Sequence, residues 1–290
     1  VIVVVGNTAE DVFFRVDAFT EPGESRLAEP LGRTLGGKGA NQALAAAYHG
    51  ADTVFVTALG ADDAGHRLAA ILQQAPFREL RVHRMGATTD VSFIQVAPDG
   101  QNVVVSTHAC ARHLEERHLD HLPLGPGATL LLQANLDLGV TAKLMLDARA
   151  AGAYVALNPS PSVSGLPDLL PLADLLVLNE PEAMMLGGGP DALAAARRLT
   201  RNGACIVVVT LGPRGARWSQ GDVDIEMPTR MVAAVDTTGA GDVFCGVLLA
   251  ERDAGSDPAS SLRAAVDAAA VTTTHVGAHP VTLAQAAMPC

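Results

Sequence analysis

The sequence predicts an α/β fold: a three-layer α/β/α sandwich around a mainly parallel sheet, with a small β-sheet lid. Three features carry that expectation. Short all-apolar runs recur along the chain, helical stretches separate them, and two segments with strand character and no helix of their own interrupt the alternation. An all-apolar run marks a strand buried on both faces of a parallel sheet. Strands that alternate with helices build βαβ units whose sheet is covered on both sides.

The elements follow in order. Val1–Val5 is the first buried strand. Residues 11–35 then carry strand-like stretches, Val12–Val16 and Ser25–Leu31, broken at Pro22-Gly23 with no helix between. A glycine cluster leads into a helix over Ala40–His49, followed by a strand at Thr53–Thr57 and a helix over Ala64–Gln74. Residues 91–107 read as a hairpin: Val91–Val96, a turn through Pro98-Asp99-Gly100, then Val103–Thr107. The alternation resumes with strands at Thr129–Leu132, Tyr154–Leu157, Leu175–Leu178 and Cys205–Val209. Helices are expected over Thr141–Ala151, Asp191–Asn202, Val243–Glu251 and Pro258–Thr273. Strands outside the alternation do not easily join a parallel sheet, so the excursions at about 11–35 and 91–107 are expected to form a second sheet over a cleft. With no linker, repeat or low-complexity tract, residues 1–290 read as one domain.

Composition narrows the function. A chain of 290 residues with 49% hydrophobic content can bury a large core. A net charge of −11 without a basic block argues against nucleic acid or an anionic membrane as partner. No apolar run reaches the ~18–20 residues of a membrane span, and the first residues open straight into a strand, so no signal peptide is expected. Cys110, Cys205, Cys245 and Cys290 are scattered, and Cys205 and Cys245 sit in apolar runs as small hydrophobes, which suits a reduced, cytoplasmic setting.

The most informative run is Asp236-Thr237-Thr238-Gly239-Ala240-Gly241-Asp242, which leads into an apolar helix. Glycines ahead of a helix let the backbone approach a ligand and aim free N–H groups at an anion. A carboxylate in the first helical turn, Asp242, can take a proton from a hydroxyl lying against that anion. Phosphate cradle and base so close together suggest phosphoryl transfer to an alcohol.

Gly32-x-x-x-x-Gly37-Lys38-Gly39 nearly matches a P-loop, but Gly39 stands where Ser or Thr must bind Mg²⁺, and no buried strand precedes it. What remains is Gly36-Gly37-Lys38-Gly39-Ala40-Asn41 entering a helix, where close backbone approach, one cation and one amide suit a polyhydroxylated ligand. Lys38 is one of only two lysines, with Lys143. A dinucleotide fold fails because Gly6-Asn7-Thr8-Ala9-Glu10-Asp11 offers one glycine after the first strand. Asp11 sits just past that strand's C-terminal end, where open α/β sheets bind ligands.

Asn179-Glu180-Pro181-Glu182 follows another strand, and Asn179 and Glu182 can hold Mg²⁺ through its water shell; the same residues also read as an N-capped helix start. Thr210-Leu211-Gly212-Pro213-Arg214-Gly215 places two glycines at a third strand end. The histidines of His113-Leu-Glu-Glu-Arg-His118-Leu-Asp-His121 miss the metal-ligand spacing and read as a solvated helix face.

In this order the motifs resemble the ribokinase family, the phosphofructokinase-B-type carbohydrate kinases. The resemblance spans almost the whole chain and adds Gly60-x-Asp62-x-x-Gly65 and Gly100-x-Asn102 of the lid hairpin. It implies a ribokinase-like fold and ATP-dependent, Mg²⁺-assisted phosphorylation of a hydroxymethyl group on a sugar or polyol. It implies Asp242 as general base and the backbone of Gly239, Ala240, Gly241 and Asp242 as anion hole. It places Asp11, Gly37, Lys38, Asn41 and Asn135 on the sugar side. On the ATP side it places Asn179, Thr210, Gly212, Gly215 and Gly241, with Glu182 and Asn179 organising Mg²⁺. Asp236 and Thr238, with a loop through Thr272, His275 and Gly277, match a monovalent-cation site for K⁺.

Departures bear on the substrate. Ribokinases carry Asn where this chain has Ala9 and a sugar-binding Glu where it has Asn135, while His108-Ala109-Cys110-Ala111 lacks the family's Gly-Ala-Asn and Val266 replaces an Asn near the nucleotide. A ligand other than ribose is therefore expected. The alternatives are a nucleoside kinase on the same fold and a non-catalytic sugar or nucleotide sensor. The exposed lid suggests a homodimer.

Overall fold

The computed structural model describes residues 1–98, 101–161, 163–201, 206–275 and 277. Cys205, Cys290, the hairpin turn at Asp99-Gly100 and the expected helix end at Asn202 lie outside them. The chain opens with β1 (Ile2–Val5), β2 (Ala9–Arg15), β3 (Glu29–Gly36), α1 (Lys38–Tyr48), β4 (Thr53–Gly60) and α2 (Asp63–Leu72). There follow β5 (Glu79–Met85), β6 (Asp90–Val96), β7 (Asn102–Ser106), β8 (Thr129–Gln133), α3 (Leu138–Ala150) and β9 (Tyr154–Asn158). The remainder is β10 (Leu175–Asn179), α4 (Glu180–Gly187), α5 (Ala192–Arg201), β11 (Ile206–Thr210), β12 (Ala216–Gln220), β13 (Val223–Met227), α6 (Ala240–Asp253) and α7 (Pro258–Thr272).

Among the described residues nine strands form the large sheet in the order β13-β12-β11-β10-β9-β8-β1-β4-β5. Every pair from β11 to β5 is parallel. The apolar runs work as expected because alternate residues face opposite layers. Ile2 and Val4 pack with residues of α1, α2, α6 and α7, and Val3 and Val5 with residues of α3, α4 and α5. The sandwich therefore has helices on both faces, and its central strands are mostly apolar.

The second sheet has the order β3-β2-β6-β7. It joins the two excursions through a parallel β2–β6 pair, with β3 and β7 added antiparallel at the edges. The strand expected at Ser25–Leu31 lies later, at Glu29–Gly36. Pairing with β2 sets its position: Arg15 opposes Glu29 and Ala9 opposes Gly36. Leu27 is left fully exposed.

Three strands escape sequence reading, all at the edges of the large sheet. β5 reads Glu-Leu-Arg-Val-His-Arg-Met, and its charges sit comfortably because only β4 pairs with it. At the opposite edge β12 and β13 form an antiparallel hairpin through Gly221, whose φ of 58° is in the left-handed region. The helix expected around the histidine cluster is replaced by two short 3₁₀ turns, Ala111–His113 and Glu116–His118. His118 accepts a hydrogen bond from the Glu115 N–H, and its ring lies 4.9 Å from that of His83. Among the described residues no group of His, Cys, Asp and Glu can hold a metal ion, and no helix is long and apolar enough to cross a membrane.

Candidate active site

Because the central strands run parallel, their C-terminal ends lie along one edge of the sheet. Register aligns the polar residues that end them: Gln133 opposes Asn158, and Asn179 opposes Thr210. β1 lies between β4 and β8, so the loops leaving β1 and β8 diverge toward opposite faces. Ligands of open α/β sheets bind in such a crevice. Asn7 and Asn135 flank it.

α6 begins at this edge. Gly239 is its N-cap, with φ 77° and no side-chain cap, and a Cβ placed on Gly241 would meet nothing within 4 Å. The first-turn N–H groups therefore have room for an anion, which the helix dipole also favours. Asp242 sits in this turn and is buried.

α1 crosses α6 at Gly246, where a Cβ would lie 2.5 Å from the Gln42 carbonyl oxygen. This close crossing brings two amides onto the acid: Asn41 Nδ2 donates to Asp242 Oδ2 and Gln42 Nε2 to Oδ1, each at 3.0 Å. Gln42 Nε2 also donates to Asn158 Oδ1 at 3.0 Å, and Gln42 Oε1 accepts from Gln133 Nε2 at 2.8 Å. Asn158 in turn donates to the Val177 carbonyl at 2.8 Å.

Asp11, on β2, faces the same crevice. Burial pushes its carboxyl up to about 7, opposed by a hydrogen bond with Ser92 and by Lys38 and reinforced by Asp242 and Asp236. Its carboxyl lies against Gly36, where a Cβ would come within 2.1 Å of it. Gly37 caps α1 with φ 93°, a value that also lets its backbone lie against Ala9. Lys38 follows in the first turn, half-buried. The Gly39 N–H donates to Asn7 Oδ1 at 3.2 Å, and Asn135 Nδ2 donates to the same oxygen. Among the described residues Asn135 Oδ1, Asn41 Oδ1 and Gln133 Oε1 are buried acceptors without a partner. Buried acceptors of this kind match a ligand that brings hydroxyl donors.

At the other end, Asn179 and Glu182 close a reciprocal capping box: the Glu182 N–H donates to Asn179 Oδ1 at 2.8 Å and the Asn179 N–H to Glu182 Oε2 at 3.0 Å. Both readings of this motif are thus compatible, since Glu182 keeps a second carboxylate oxygen for a hydrated cation. Arg214 pairs with Glu180 across the same rim. Thr210 ends β11 with its hydroxyl near the Leu178 carbonyl at 3.4 Å. Gly212 opens a 3₁₀ turn at φ 59°, and Gly215 adopts φ 96° where a Cβ would overlap the Met227 carbonyl.

Asp236 organises the loop before α6. Its Oδ1 accepts from the Thr238 N–H and hydroxyl at 2.9 and 2.7 Å, and its Oδ2 from the Gly277 N–H at 2.8 Å. Thr272 instead donates its hydroxyl to Ala268 within α7, and His275 Nδ1 faces the Thr274 hydroxyl and the Val271 carbonyl. The structure thus brings Asp236, Thr238 and Gly277 together and leaves the Thr272 and His275 side chains engaged with their own turn. From the lid, Asn102 Nδ2 donates to Thr238 Oγ1 at 2.9 Å.

The sequence model of the pfkB family carbohydrate kinase matches residues 1–284 of this chain. The chain belongs to that family. It is 31% identical to the ribokinase of Haemophilus influenzae over 84% of this chain and 83% of that one. The ribokinase of Thermotoga maritima superimposes with a TM-score of 0.86 at 29% identity, covering 99% of this chain and 98% of that one. Arabidopsis thaliana ribokinase, solved with ribose and ATP, shares the fold with a TM-score of 0.81 at 24% identity over 99% and 98% of the two chains.

The kinase family's glycine signature was legible in the sequence, but Asn7, Gln42, Gln133 and Asn158 were not recognised as part of the site. Each carried a usable signal: a polar residue at or just past the end of an apolar strand run, or beside Asn41 in the first turn of a helix otherwise rich in alanine.

Proposed function

We propose that this carbohydrate kinase transfers the γ-phosphoryl group of ATP to a hydroxymethyl group of a small neutral sugar or polyol. The observation that carries the reading is a buried Asp242 carboxylate, gripped by Asn41 and Gln42, beside an open helix N-terminus. The acceptor sugar lies between Asp11, Lys38, Asn41 and Asn135, its hydroxyls meeting carbonyl and carboxyl oxygens. Asp242 accepts the proton of the attacking hydroxyl as the new O–P bond forms and the bond to the ADP oxygen breaks. The N–H groups of Gly239, Ala240 and Gly241 take up the charge on the phosphoryl oxygens, while Thr210, Gly212, Gly215 and Asn179 line the nucleotide side. Catalysis then rests on positioning and electrostatics.

Glu182 and Asn179 would hold Mg²⁺ through water, and the cation would supply charge neutralisation at the phosphates. Asp236 and Thr238, with the Gly277 loop beside them, would hold K⁺, which supports the same loop as the anion hole. Residues 1–290 act as one catalytic unit whose lid covers the crevice. Phe93, Val103 and Val105 leave an apolar lid face 42–66% exposed, which supports pairing of two lids in a homodimer. The buried free thiols of Cys110 and Cys245 suit a reducing cytoplasm.

The test is ADP release over a panel of D-ribose, 2-deoxy-D-ribose, D-fructose and adenosine, with Mg²⁺ and with K⁺ exchanged for a bulky organic cation. We expect turnover that needs Mg²⁺, rises with K⁺ and favours a sugar other than D-ribose. Ala9 offers no side-chain hydrogen bond and Asn135 no charge, and each such loss weakens ribose by about 0.5–3 kcal/mol. The highest kcat/KM for adenosine would move the reading to a nucleoside kinase.

A further inference from the structure

Three amides with almost no access to solvent stand behind Asp242, and none is needed to contact a sugar or a nucleotide. Gln42 and Gln133 are fully buried and Asn158 nearly so. Burying an amide is unfavourable unless its hydrogen bonds are made. Here the bonds form a chain whose direction is fixed at one end by the backbone. Asn158 Nδ2 meets the Val177 carbonyl, which only accepts, so Asn158 must turn its Oδ1 toward Gln42. Gln42 must then present its Nε2 to that oxygen, and with it to Asp242 Oδ1 3.0 Å away. Its remaining Oε1 is matched by Gln133 Nε2. A flip of Gln42 would set its carbonyl oxygen against both Asp242 and the Asn158 oxygen.

We propose that Gln42 is a positioning residue for phosphoryl transfer, locked by Asn158 so that it always donates to Asp242. The inference rests on the reading of Asp242 as the base. Two amide N–H groups, from Gln42 and Asn41, hold the two carboxylate oxygens and so fix the plane of the carboxylate. A carboxylate free to rotate would spend much of its time with no lone pair toward the acceptor hydroxyl, and a misplacement of about 1 Å can lower a rate by 10²-fold.

The test compares Gln42→Met, Gln42→Glu and Asp242→Asn in the full chain, using the panel sugar with the highest kcat/KM. Met conserves the volume and removes the donor. Glu keeps the acceptor for Gln133 but sets a second carboxyl against Asp242. For Gln42→Met we expect kcat to fall about 10–100-fold, with KM for ATP and sugar within threefold. Gln42→Glu should lower kcat at least as far, because it replaces the donor by a second carboxyl, and it keeps the test usable if Gln42→Met does not fold. A folded variant with kcat within twofold of wild type overturns the positioning role. If instead Asp242→Asn retains more than a tenth of wild-type kcat, the base reading fails, and that result is distinguishable because it needs no Gln42 variant.

Discussion

At the residue scale, Asp242 and Asp11 face one crevice under different constraints. Asp242 is gripped by two amides, whereas burial pushes Asp11 up to about 7. Replacing Asp242 by Asn should lower kcat by ~10²–10⁴ and leave ATP affinity, measured by calorimetry, within a few fold, because the nucleotide is held elsewhere. For Asp11 the sign of the linkage runs opposite to that of a salt-bridged acid. Between its ordinary 3.8 and about 7 the folded chain carries a proton that the unfolded chain has lost. The stability it contributes is therefore complete below the lower value and disappears as pH rises through the upper one. Asp11→Asn should accordingly be more stable than wild type at about pH 8 and show a flatter fall of Tm from about pH 5 to about pH 8. Parallel Tm–pH curves for the two proteins would contradict this. The same variant should raise KM for sugar, the trade between stability and function that active sites commonly show.

At the element scale, the decisive contact is the crossing of α1 and α6. Gly246 lets the helices approach until its missing Cβ would stand 2.5 Å from the Gln42 carbonyl and 2.7 Å from Ala45 Cβ. Neither neighbour is a flexible side-chain end, so Gly246→Ala must move a helix. Overpacking of this kind typically destabilises by about 1–3 kcal/mol. Since Asn41 and Gln42 ride on α1 and Asp242 on α6, kcat should fall in the remaining folded enzyme as well. Urea unfolding and kcat of the same preparation check both parts. A stability loss with unchanged kcat would show that the crossing serves packing alone. Elsewhere, the Asn179–Glu182 capping box starts α4 directly at the end of β10.

At the scale of the whole molecule, the lid is a separate four-stranded sheet that touches the body at the loop ahead of α6. Asn102 reaches Thr238, which bonds to Asp236, which holds Gly277, and a Cβ on Gly277 would lie 3.3 Å from Phe13 of the lid. The lid and the loop ahead of α6 are therefore physically linked. The outward lid face presents Val105 at 66% exposure. If lids pair between two copies, Val105→Lys should shift sedimentation toward the monomer and leave the fold intact by circular dichroism. An unchanged sedimentation coefficient, or a wild type already monomeric at assay concentration, would remove the homodimer.

Sequence by itself determined the layers, because a strand buried on both faces must be apolar along its length, as in β1 and β11, and such runs stand out. It also determined the glycine signatures, since Gly37 and Gly239 occupy left-handed backbone that other residues avoid. Edge strands such as β5 were hidden because half-exposed positions accept charge and erase the pattern. The amide chain behind Asp242 was hidden for a different reason. Gln42 lies 116 positions from Asn158 and 200 from Asp242, and nothing local in an amide side chain marks it as buried. Only the tertiary structure, by crossing α1 over α6 and aligning Gln133 with Asn158 across the sheet, turned those residues into neighbours with a fixed direction of hydrogen bonding.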